Sequence, residues 1–118
     1  MQARITAPAN ARGLNAPLYT VPAGFRLQIE DASAAAASCG VAPFSLALDT
    51  TVERQQVRHF VVSGATGASG CASEGFAGRP VSVHADPGTT VFVYLAFGDF
   101  ASGALSASIS GRLIPLEE

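Results

Sequence analysis

The chain has 118 residues, of which 14% are charged against the roughly 25% of an average protein, and its net charge is −2. That length suffices for one domain with one core and not for two. With 48% apolar residues the chain is not of the disordered kind, and with no basic stripe to neutralise phosphates it is not built to hold nucleic acid.

No run approaches the roughly 18 apolar residues of a membrane span. The opening stretch, MQARITAPAN, carries no hydrophobic segment of the signal-peptide kind. A cytosolic chain or the mature part of a secreted one remains. Residues 1–16 have only Ile5 and Leu14 as bulky anchors, so they read as an N-terminal arm that lies along a sheet edge or reaches a neighbour. A single β-sandwich domain is expected over 17–116.

Pro17 to Val21 reads as a short strand, stopped by Pro22-Ala23-Gly24, which suits a type I turn. From Phe25 to Glu30 the alternation is the cleanest in the chain, with Phe25, Leu27 and Ile29 set against Arg26, Gln28 and Glu30. It predicts a half-buried antiparallel strand. Asp31 to Pro43 is expected to be a long connection, since the alanines at 34–37 are too few for an autonomous helix. Phe44 to Asp49 alternates again. Thr51 to Gln56 is a polar turn, and Val57 to Val62 is a strand with no polar side. Ser63 to Gly78 is a second long connection, rich in glycine and almost without bulk.

Arg79 to Phe97 is the centre of the pattern. Its first run sets Val81, Val83 and Ala85 against Ser82, His84 and Asp86. Its second is apolar on both sides, Val91, Val93, Leu95 and Phe97 on one and Phe92, Tyr94 and Ala96 on the other. Such a strand must be covered twice, by a central place in a packed sheet or by another subunit. The Asp86-Pro87-Gly88 link between the runs favours type II geometry and marks a corner from one sheet to the other. After Gly98 to Gly103, a tight loop, Leu105 to Ile114 forms the last strand.

These elements predict an all-β, jelly-roll-like antiparallel β-sandwich of seven or eight strands, because long connections suit strands that change sheets. Three signatures carry a resemblance. They are Thr20 to Gly24 followed by Leu27 to Glu30, Val81 to Ala85 leading into Asp86-Pro87-Gly88-Thr89, and the closing Ile109 to Leu113. Over residues 18–114 the chain thereby resembles a group of small bacterial proteins of unassigned function. The resemblance implies a jelly-roll-like sandwich and no activity, and the Cys39 and Cys71 pair lies outside its pattern.

Cys39 and Cys71 both sit among small, loop-like residues, whereas free structural cysteines prefer apolar cores. They are expected to form a disulfide, with two unpaired thiols as the alternative, and the bond would place the protein outside the cytosol or at the cell surface. The two histidines, His59 and His84, fall short of the three or so that a cupin-type metal site needs, so no metal and no cofactor are expected. No serine sits in a nucleophile elbow, and Glu30 and Asp31 are adjacent and point to opposite faces, so no enzyme is expected.

The loop residues Phe97, Asp99 and Phe100 are the candidate ligand site, an aromatic beside a carboxylate being suited to a sugar face. The alternative is that Phe97 ends the core and Phe100 plugs the sandwich. Phe92 and Tyr94, with Phe60 and Val62, are the candidate homo-oligomer interface, unless the chain covers that face itself. The expected function is a non-catalytic extracellular or cell-surface binding or structural module that self-associates, with a lectin-like carbohydrate-binding domain as runner-up.

Overall fold

The computed structural model describes residues 1–38, 43–65, 73–97 and 103–116. Eight strands account for nearly all of them: β1 (Gln2–Ala11), β2 (Gly13–Thr20), β3 (Phe25–Ser38), β4 (Pro43–Val52), β5 (Gln55–Ala65), β6 (Ser73–Ala85), β7 (Thr90–Phe97) and β8 (Gly103–Pro115). Among these residues no helix is long and apolar enough to cross a membrane.

Two four-stranded antiparallel sheets, ordered β1-β8-β3-β6 and β2-β7-β4-β5, face each other. β4 pairs with β5, β3 with β6, β2 with β7 and β1 with β8. The chain is thus one long hairpin, folded about the β4–β5 turn and rolled so that successive pairs fall in alternate sheets. This is the jelly-roll form of the β-sandwich. Strands of up to 14 residues, at about 3.3 Å each, make it long and narrow, 56 × 21 × 19 Å.

The inner faces form one core. Leu27, Ile29, Ala32, Ala34 and Ala36 of β3 join Leu105, Ala107 and Ile109 of β8 on one side, and Phe44, Leu46 and Leu48 of β4 join Val91, Val93, Leu95 and Phe97 of β7 on the other. One sheet offers mostly alanine over its distal half and the other offers bulk, a small-against-large arrangement that lets facing layers interdigitate.

Several expectations need correction. Residues 1–16 form regular strand: they supply β1 and the first half of β2, one edge strand of each sheet, which realises the first of the two alternatives. The expected connection at 31–43 is largely strand, as β3 runs on to Ser38. A β-bulge explains why. Against β8, Ile29 pairs with Gly111 but Asp31 with Ser110, which leaves Glu30 as an extra residue, and against β6 the register shifts at the same place, Ile29 pairing with Val83 and Asp31 with Pro80. The inward positions therefore pass from odd numbers, Leu27 and Ile29, to even ones, Ala32, Ala34 and Ala36. Gly111 sits against the bulge, where a Cβ would run into the Gln28 carbonyl and lie 2.9 Å from Ile29 Cα. The connection expected at 63–78 shrinks likewise, as β5 reaches Ala65 and β6 begins at Ser73.

The turns lie at one end and are bolted together. Gly88, at φ 74°, takes the third position after Pro87, and Thr89 N–H donates to Asp86 O at 3.3 Å, the type II corner between β6 and β7. The turn after β2 falls one residue later than expected: Phe25 N–H donates to Pro22 O, and Gly24, at φ 83°, holds its third position. Val21 N–H bonds to Thr89 O and Gly88 N–H to Val21 O, both at 2.9 Å, joining these two turns. The β4–β5 turn is Glu53-Arg54, with both residues left-handed at φ 53° and 68°. Asp86 holds it, its N–H bonding Thr51 O at 3.0 Å and its Oδ2 accepting from Glu53 N–H at 2.7 Å.

Candidate functional site

The outward face of β7 is where an interface was expected. Phe92 and Tyr94 are each half-buried in the single chain. Cover comes from β5: Arg58 lies with its guanidinium carbon 4.6 Å from the centre of the Tyr94 ring. Asp49, on the strand between them, accepts from Arg58 Nε at 2.8 Å and from Nη2 at 2.9 Å. This two-pronged bond holds the Arg58 guanidinium above its ordinary pKa. Ala47, opposite Tyr94 in the register, is fully buried although it lies on the outward side. A small residue there leaves room for the ring and the cation to lie across it. The clamp thus shelters the Tyr94 ring within the single chain. Among the described residues, the large apolar side chains left exposed are Val52, Val57 and Leu116, none of them on β7.

The loop residues divide. Phe97 is 8% exposed and pairs with Phe44, so its ring belongs to the core and offers no platform to a ligand. The register decides this, since the residue ends the inward series Val91, Val93, Leu95. Asp99 and Phe100 lie outside the described residues, as do Cys39 and Cys71. The side chains of Phe60 and Val62 are likewise outside them. His84 is exposed, while His59 is half-buried with Nε2 3.4 Å from Thr50 Oγ1. The structure does not bring the two histidines to a common site, for they belong to different sheets.

A different surface emerges on the outward face of the β1-β8-β3-β6 sheet. Arg4 pairs with Ser108, Ser108 with Ser33, and Ser33 with Gly78, so one straight row crosses all four strands. Cross-strand partners share a face, and here the two central strands bring Ser33, Ala35, Ser106, Ser108 and Ser110 to it. The rows on either side add Gln2, Ser110, Asp31 and Pro80, and Thr6, Ser106, Ala35 and Phe76. The result is a trough of two hollows, about 370 and 420 Å³, that meet at Arg4, Ser33 and Ser108. Ser33 and Ser108 hydroxyls bond to each other at 2.6 Å. Gly78 keeps the floor low: a Cβ there would stand 3.3 Å from that of Ser33. Towards the bolted end the trough stops at Arg112, which binds Glu30 at 3.0 Å and Gln28 at 3.2 Å.

Chemically the trough is a set of hydroxyl donors and acceptors with one cation on its wall and one carboxylate at its head. Among the described residues Arg4 forms no ion pair, so its guanidinium is available to a bound oxygen. One trace of this surface is visible in sequence, the series Ser106, Ser108, Ser110 on one side of the last strand. Its company on β1, β3 and β6 is not, because those partners lie as many as 108 positions away, Gln2 from Ser110, and are set by register.

Fold and surface together define a jelly-roll β-sandwich with a polar sheet-face trough. No protein-family model matches the chain, and no curated protein matches it.

Proposed function

We propose that the protein is a non-catalytic binding module of the secreted or cell-surface kind, and that its ligand is a carbohydrate chain laid along the trough. The row Arg4–Ser108–Ser33–Gly78 carries this reading. A polyhydroxyl ligand needs closely spaced groups that both donate and accept, and serine hydroxyls do both. Arg4 and Asp31 add a fixed donor and a fixed acceptor at the rim. The ligand site thereby moves from the loop residues to the sheet face, since Phe97 is committed to the core. The Arg58 clamp shelters Tyr94 within one chain, and recognition is the role proposed here.

The test is a glycan array followed by calorimetric titration of any saccharide retained. Arg4→Ala is expected to weaken binding at least tenfold. Gly78→Val, which raises the floor of the trough, is expected to do the same, while Phe100→Ala leaves binding unchanged. Loss with Phe100→Ala but not with Arg4→Ala returns the site to the loops. No saccharide bound at millimolar concentration overturns the carbohydrate reading.

A further inference from the structure

We infer that the trough selects an acidic oligosaccharide in which a sugar bearing one carboxylate alternates with a neutral sugar, the carboxylate on Arg4 and the neutral residue beside Asp31. The inference rests on the carbohydrate reading above and adds a charge pattern to it. Among the described residues the ion pairs are Arg26 with Asp86, Arg58 with Asp49 and Arg112 with Glu30. Neither Arg4 nor Asp31 takes part in one, and both are exposed. They are the two charges that line the hollows, and they differ in sign. Arg4 belongs to both hollows, whereas Asp31 belongs only to the one nearer the bolted end. Two strand spacings across β8 and one row along it set their backbones about 12 Å apart.

A guanidinium presents paired N–H donors that match the two oxygens of a carboxylate. In the same row the Ser33 and Ser108 hydroxyls bond each other at 2.6 Å, and whichever donates, the other keeps its proton for a bound oxygen. An ionised carboxylate only accepts, so Asp31 takes hydroxyl or amide N–H groups and repels a second anion. The other hollow, lined by Ala35, Gly78 and Ser106, has no carboxylate among its described residues and receives the charged sugar. A saccharide charged on every residue would press a carboxylate against Asp31. A wholly neutral one would leave Arg4 without a counter-charge. Selection therefore has a repulsive element as well as an attractive one.

The experiment is calorimetric titration of the full chain with three probes of equal length. They are a hyaluronan tetrasaccharide, in which glucuronate alternates with N-acetylglucosamine, its carboxyl-reduced neutral form, and tetragalacturonate. The alternating probe is expected to bind about tenfold more tightly than either of the others. Its margin over the neutral probe should shrink as sodium chloride rises from about 0.05 to about 0.5 M. Arg4→Gln should close the gap between the alternating and neutral probes, and Asp31→Asn the gap between the alternating and fully charged ones. Both side chains are exposed, so both variants should keep the circular dichroism of the parent. A neutral probe that binds as tightly as the alternating one would overturn this inference and leave the carbohydrate reading standing. So would tetragalacturonate binding the parent as tightly as the alternating probe does. Binding of none of the three would overturn the inference as well, and the carbohydrate reading with it only where the glycan array also retains nothing.

Discussion

Replacing Asp86 by alanine removes one carboxylate and leaves every backbone bond at that end in place. Two interactions go with it. Oδ2 accepts the Glu53 N–H at 2.7 Å, and Oδ1, buried without a hydrogen bond, faces Arg26 Nε at 3.5 Å. A hydrogen bond to a charged group contributes about 1.5–3 kcal/mol, and the lower figure applies because this one is solvent-accessible. Arg26 is 46% exposed, so its pair belongs with surface ion pairs and adds about 0.5 kcal/mol. Asp86→Ala should therefore cost about 2 kcal/mol, or roughly 1 M in the urea midpoint. The chain has no tryptophan, so the transition is best followed by far-ultraviolet circular dichroism. Arg26→Ala, the control, should cost only about 0.5 kcal/mol. If Asp86→Ala shifts stability by less than Arg26→Ala does, the carboxylate is not what holds the Glu53-Arg54 turn, and the reasoning fails.

Three further outcomes follow from the same geometry. Gly111→Ala forces a methyl group against the Gln28 carbonyl and should destabilise by about 3 kcal/mol, at the upper end for overpacking, or abolish folding; a melting temperature within 3 °C of the parent would contradict the bulge geometry. Arg54→Gly relieves a left-handed non-glycine residue at φ 68° and should stabilise by about 0.5–1 kcal/mol in the same urea titration. Arg58→Ala uncovers Tyr94 and leaves the buried Asp49 without its partner. The variant should bind a hydrophobic dye and self-associate in light scattering, where the parent remains monomeric; a parent that already dimerises would show that the clamp does not suffice.

Fold class was legible in the sequence because its strongest signals are local. The alternation Phe25 to Ile29, the both-sided run Val91 to Phe97 and the Asp86-Pro87-Gly88 corner each depend on neighbours within a few residues, and each is where the pattern placed it. Beyond Glu30 the reading stopped for two physical reasons. The bulge flips the inward positions, and an alternation of alanine with serine has too little contrast in hydropathy to announce a strand. The first sixteen residues, read as an arm along an edge or towards a neighbour, gave no strand signal for the same reason, having little bulk to mark a face.

The trough and the clamp belong wholly to tertiary structure. Arg4, Ser33, Gly78 and Ser108 are unremarkable singly and become one surface through the register of four strands. Phe92 and Tyr94 looked like a face in need of a partner, because nothing local reveals that Arg58 and Asp49 arrive beside them. Composition and periodicity determine which side of a strand is apolar; only the pairing of distant strands determines what stands next to it, and binding chemistry is made of such neighbours.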